Sequence, residues 1–281
     1  MIIGPDERKP FYCNVVQAII AALGSLTIVI IGYKIYKVVK RASGAKIKLN
    51  DKYMLVMVLF MALELFSKCI FHVFNAITVL NSFYWNHPIL SYILLLLPVF
   101  LLMIACTINA RNWVHFYIRI SEAAYMSRLS PQDKEYELKS KLYHKHVKKM
   151  HLILKVSVIS IFLIVSLSIV GSTVYSYYHP DVVNDSGRAL TAVGFCCLSF
   201  TFFIFGYLTL LKLRSSFQDF YAANKNKLVF ATLGLSIPML TRALYDLFMI
   251  INKSFNTFVA DHTDSFNFVI LLVCDILPIS L

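Results

Sequence analysis

Residues 118–155 read Ile-Arg-Ile-Ser-Glu-Ala-Ala-Tyr-Met-Ser-Arg-Leu-Ser-Pro-Gln-Asp-Lys-Glu-Tyr-Glu-Leu-Lys-Ser-Lys-Leu-Tyr-His-Lys-His-Val-Lys-Lys-Met-His-Leu-Ile-Leu-Lys, the one long polar segment of a mostly apolar chain. Within it, Ser130-Pro131-Gln132-Asp133 combines a capping serine, a proline at the first helical position and an acid in the first turn, which predicts a helix start. Lys134, Lys139, Lys141, Lys145, Lys148 and Lys149 crowd the turns that follow. At Leu152 the charge thins out and an apolar run begins, long enough to cross a bilayer. The basic cluster is therefore expected at a membrane surface.

The rest of the chain agrees. Of its 281 residues 58% are hydrophobic and only 15% charged, against roughly 25% charged in an average soluble domain. The mean hydropathy is +0.69. Apolar runs fall at about 12–39, 53–80, 88–113, 152–178, 189–213, 228–251 and 265–281, separated by short polar stretches and by a basic loop at 114–151. The expected fold is all-α: one polytopic membrane domain, 1–281, of seven transmembrane helices. Residues 1–10 contain no apolar signal core, so the first span is expected to direct its own insertion.

Lysine and arginine set the orientation. Lys34, Lys37, Lys40, Arg41, Lys46, Lys48 and Lys52 follow span one, the basic loop follows span three, and Lys212, Arg214, Lys225 and Lys227 follow span five. The opposite side has Arg8, Lys9, Arg188 and Lys253. The positive-inside rule then places the N-terminus outside. Two N-x-S sequons, at Asn184 and Asn252, fall on that outer side as glycosylation acceptors. Aromatic groups at 83–85, 113–117 and 175–178 read as interfacial anchors.

A net charge of +12 raises the question of nucleic acid. The lysines flank apolar runs and do not interleave with aromatics on a polar face, so they are read as orienting the chain and contacting anionic lipid headgroups. The six cysteines form no disulfide framework and no CxxC pair. His144, His146 and His151 stand among lysines, where repulsion disfavours a metal. HExxH, GxSxG and glycine-rich phosphate loops are all missing from the sequence. The expectation is a non-enzymatic protein without a cofactor.

Ionisable residues inside a bilayer are costly and are the natural site candidates. Span two has Glu64 and Lys68 at i,i+4, with His72 and Asn75 continuing the same face. Span six has Arg242 and Asp246 at i,i+4, after Pro238. Span seven has Asp275, with no local partner, for which a bridge to Arg242 is expected. Lys139, Lys141, Lys145, Lys148 and Lys149 are the candidates for lipid or partner contact.

The sextet Thr241-Arg242-Ala243-Leu244-Tyr245-Asp246 in span six and Asp275-Ile276-Leu277-Pro278 in span seven, set in seven spans with basic inner loops, resemble the heptahelical tobamovirus-multiplication family. That family includes relatives of an orphan G-protein-coupled-receptor-like lysosomal protein. The resemblance implies an endomembrane or vacuolar scaffold or regulator that engages small GTPases or other cytosolic proteins through its inner loops; the plasma membrane is the other location expected for such a protein. Rhodopsin-like receptors match less well: span three ends Ala110-Arg111-Asn112-Trp113, with no Asp-Arg-Tyr. The alternatives are an accessory subunit of a large assembly, such as one in the mitochondrial inner membrane, and a small transporter or channel using the span-two stripe.

Overall fold

The computed structural model describes residues 5–43, 49–81, 88–127, 140–150 and 183–276, with isolated helical positions between 152 and 171. Nearly all of this is helix: α1 (Pro5–Ser43), α2 (Leu49–Asn81), α3 (Pro88–Met126), α4 (140–150), α5 (Val183–Ser216), α6 (Gln218–Ile251), α7 (Lys253–Asp261) and α8 (Thr263–Ile270), running into a π-helical turn at Leu271–Ile276. Helix is what a bilayer demands, because it is the one structure besides a closed barrel that bonds every backbone group within itself.

Among the described residues five helices are long and apolar enough to cross a membrane: Pro10–Arg41, Lys52–Thr78, Leu96–Met126, Arg188–Ser216 and Gln218–Ile251. Their amphipathicity is inverted. On α1 the buried side holds Asn14, Gln17, Ala18, Ala21, Ser25 and Ile28, while Tyr12, Val16, Ile19, Leu23, Leu26 and Ile30 face outward. An apolar exterior this continuous is an interaction surface, and lipid is the solvent that suits it.

Several helices exceed the spans expected from hydropathy. α3 runs thirteen residues past 113, so the loop placed at 114–151 is helical at both ends. Trp113 and Tyr117, expected as interfacial anchors, are packing residues: Trp113 lies against the core formed by α3, α5 and α6, and the Tyr117 ring sits 5.9 Å from Phe205 of α5. α6 begins at Gln218, ten residues before the expected start, and a single residue, Phe217, joins it to α5. Of the expected span at 265–281 the structure describes residues up to 276, as α8 and the π turn that continues it, and α7 precedes them. Span four, at 152–178, lies largely outside the described residues, as do the helix start at Ser130 and Lys139.

Two apolar cores share α3. One packs Leu102, Met103, Cys106 and Ala110 with Phe195, Leu198 and Phe202 of α5 and Leu235, Met239 and Ala243 of α6. The other joins Ala105 to Ile28 of α1, Val58, Met61, Ala62 and Leu65 of α2, and Leu271 of the π turn. Neighbouring helices in sequence run antiparallel, but α3 and α5 run parallel: Met103 meets Gly194 and Tyr117 meets Phe205, both numbers rising together.

Small residues allow the close approaches. A Cβ on Gly206 would collide with the Thr232 side chain of α6, one on Gly194 with the Met103 methyl, and one on Gly32 would lie 2.8 Å from Val58 Cγ1. Across the same seams the Ser25 hydroxyl donates to the Ala62 carbonyl at 2.9 Å, and Ser199 donates to the Ser236 carbonyl at 2.8 Å. Helix pairs in lipid associate through such small-residue packing and interhelical hydrogen bonds. Gly206→Leu is expected to lower the apparent melting temperature in detergent by several degrees, an overpacking cost of about 1–3 kcal/mol. Gly171→Ala, at a position with open space around it, is expected to leave it unchanged.

Candidate functional site

Two clusters of polar residues emerge, one inside the apolar layer and one at its edge. The inner cluster lies between α1 and α2. Glu64 is fully buried, and Lys68 Nζ, one turn along, lies 2.9 Å from Glu64 Oε1. The next turn brings His72, buried, whose Nδ1 is 3.2 Å from Asn14 Oδ1 on α1; Asn14 in turn donates from Nδ2 to the Pro10 carbonyl at 2.9 Å. Gln17 is buried on the same face of α1, and Asn75 of α2 is half-buried. The polar stripe expected on span two is thus an interhelical layer completed by Asn14 and Gln17. Neither was singled out in the sequence, because a 58-residue separation between His72 and Asn14 leaves no periodic trace.

On α6 the Arg242 Nε lies 3.5 Å from Asp246 Oδ2. Asp246 also accepts from the Thr191 hydroxyl of α5 at 2.8 Å, the Arg188 carbonyl at 2.9 Å being the alternative acceptor for the same proton. Arg242 is therefore engaged within its own helix. The Asp275 side chain, and with it the expected Arg242 bridge, lies outside the described residues. A third cation, Arg111, stacks on the Tyr53 ring of α2 with its Cζ 3.6 Å from the ring centroid; a guanidinium over an aromatic face is favourable where water is scarce. Its signal in the sequence was a lone arginine at what looked like the end of span three.

The second cluster is the seam between α3 and α4. Val147 is buried against Val114 and Ile118, with Tyr143 and Met150 beside it. The Tyr143 and Tyr125 rings stack at 4.2 Å with 10° between their planes. Glu122 Oε1 lies 3.0 Å from His144 Nδ1, and Glu122 Oε2 lies 3.5 Å from Arg119. Burial, and after it the Glu122 carboxylate, pushes the Tyr143 phenol above its ordinary pKa. With one edge of α4 fixed in this way, Lys141, Lys145, Lys148 and Lys149 stand on its exposed side.

Asn252 is exposed and caps α7, its Oδ1 accepting from the Phe255 amide at 3.0 Å. The cap uses Oδ1 and not Nδ2, the atom to which a sequon glycan would be attached. Asn184 lies on the first turn of α5, and its side chain falls outside the described residues. Among the described residues no group of three His, Cys, Asp or Glu side chains is placed to hold a metal ion.

The inner cluster makes a stability prediction with a clear sign. Glu64→Gln leaves the Lys68 ammonium in the apolar layer without its carboxylate and is expected to cost about 3 kcal/mol. Replacing both residues by Met is expected to be close to neutral, because both charges leave together. Thermal unfolding of the three proteins in one detergent measures the difference. The chain matches no protein-family model, no curated protein and no solved structure.

Proposed function

We propose that the protein is a non-enzymatic, seven-helix membrane scaffold or receptor-like protein, N-terminus outside, whose basic inner surface engages cytosolic proteins and anionic lipid. The observation that carries this reading is the docked α4: a helix seated by Val147 and Tyr143 on the end of α3 that turns its lysines outward. A lysine row on a loose loop is a diffuse charge. One on a docked helix has a shape that a partner can match.

The topology supports the span count. Because α3 and α5 run parallel, the chain between 126 and 183 must return across the layer, and the apolar run at 152–178 is the stretch available for it. α8 and the π turn, packed against α1 and α6, begin the apolar run at 265–281 that this reading takes as the seventh crossing. An odd number of crossings from an outer N-terminus puts the ends of α1, α3 and α5, with their lysines and arginines, on the inner side. The resemblance of 241–246 and 275–278 to the heptahelical tobamovirus-multiplication family favours an endomembrane or vacuolar location and small GTPases as the class of partner. The described pairs within the spans serve packing in this reading, since Lys68 is answered by Glu64 and Arg242 by Asp246.

The test is purification of the tagged protein from its own membranes in mild detergent, with native mass and co-purifying proteins identified. A monomer or dimer with substoichiometric cytosolic partners is expected. Changing Lys141, Lys145, Lys148 and Lys149 together to Glu is expected to release those partners at unchanged topology. Migration in fixed stoichiometry within a large complex would instead make the chain an accessory subunit, with Glu64, Lys68 and Arg242 as assembly contacts.

A further inference from the structure

We infer that the lysine row of α4 binds the phosphate groups of anionic phospholipids, and that the α3 seam holds it at headgroup depth. This rests on the membrane reading above and adds to it which partner takes this face and which lysines matter most.

One face of α4 switches in character along its length. Lys145, Lys148 and Lys149 are exposed on α4, and so are Leu152, Ile153, Val156, Leu163 and Leu167 further along, each of the latter more than half exposed. At 3.6 residues per turn, all of these but Ile153 fall within roughly a third of the circumference. Among the described residues the stripe therefore changes from ammonium groups to aliphatic ones between 149 and 152, Lys155 lying outside them. The same stripe faces headgroups before that point and hydrocarbon after it, so the boundary of the apolar layer lies there.

Depth then ranks the lysines. With a rise of about 1.5 Å per residue, Lys148 and Lys149 stand about 5 Å from Leu152 along the axis, Lys145 about 10 Å and Lys141 about 16 Å. The headgroup layer is roughly 5–8 Å thick on each side of the hydrocarbon. Lys148 and Lys149 lie inside it, and Lys145 reaches it by laying its four-carbon stem back toward the apolar side. Lys141 sits at the outer rim. Glu122, the carboxylate at the seam, is taken up by His144 and Arg119, so the row presents net positive charge to the lipid. The seam also fixes α4 before lipid arrives: Val147 is buried, Tyr143 is stacked on Tyr125, and His144 is held by Glu122. The ordering cost of the helix is therefore already met by the fold.

The experiment uses the full chain in nanodiscs of phosphatidylcholine with phosphatidylserine, counting the lipids that stay bound by native mass spectrometry. The wild-type protein is expected to retain phosphatidylserine in preference to phosphatidylcholine. Combining Lys145→Gln, Lys148→Gln and Lys149→Gln is expected to reduce that preference by roughly tenfold or more, and Lys141→Gln alone by less than twofold. The same three positions changed to Arg should keep the preference, which separates loss of charge from loss of fold. A Gln variant that holds phosphatidylserine as the wild type does, or an Arg variant that loses it while its melting temperature is unchanged, overturns the inference. Lys145→Cys, labelled with a membrane-impermeant maleimide and scored against the parent protein, separates the two readings. Labelling from the outer side would sink the inner-surface scaffold and leave lipid binding standing, whereas loss of cytosolic partners without any lipid preference would sink lipid binding alone.

Discussion

α3 has to satisfy two cores at once, and the arrangement of the other helices follows from that. Its Met103 and Cys106 side meets α5 and α6, and the Ala105 side meets α1, α2 and the π turn. In water the hydrophobic effect would drive such contacts. In lipid it does not, because a leucine gains little by exchanging an acyl chain for another leucine. Cohesion has to come from close packing, and so the contacts at Gly194, Gly206 and Gly32 and the two serine-to-carbonyl bonds recur at the main seams. Ala105, with no exposure at all, marks how near the neighbours come. A larger residue there would push both halves apart together.

The same absence of water governs the charges. Three cations in the middle stretches of the described helices have an answer at hand: Lys68 has Glu64, Arg242 has Asp246, and Arg111 has the Tyr53 ring. Thr191 carries the Arg242–Asp246 pair to a second helix, and Asn14 does the same for His72, one turn along from Lys68. Isolated charges at this depth would cost several kcal/mol each, so local neutralisation is the cheaper arrangement. Its consequence is that the electric field of the protein comes chiefly from outside the apolar layer, where the lysines of α1 and α4 stand exposed. Chemistry that needs charge is available at that surface.

Local features were legible in the sequence, and long-range ones were not. The pairs Glu64–Lys68 and Arg242–Asp246 could be named because i,i+4 spacing alone brings them together. Helix ends were misplaced where hydropathy and helicity part company. Beyond Trp113 the residues Arg119, Ser121 and Glu122 lower the hydropathy, yet Val114, Ile118 and Ala124 keep the helical spacing of a buried edge. That periodicity was the signal that α3 continues. Residues 218–227 hold no glycine or proline to break a helix and include Ala222 and Ala223, so α6 starts early. No such clue exists for Asn14 meeting His72 or for Arg111 meeting Tyr53, since both depend on how whole helices are set against each other. The π turn at Leu271–Ile276, which seats Leu271 in the α1–α2 core, is likewise a result of packing.

What turns α4 from a connector into a device is the seam. Val147, Tyr143 and His144 tie it to Val114, Tyr125 and Glu122, all on the part of α3 that follows Ala110, the last buried α3 residue of its two cores. α3 is one unbroken helix from Pro88 to Met126, and a helix transmits a tilt along its length because its backbone bonds resist bending. α4 and both apolar cores are therefore attached to one continuous helix, α4 through Val147 and the Tyr125–Tyr143 stack, the cores through Met103, Ala105 and Cys106.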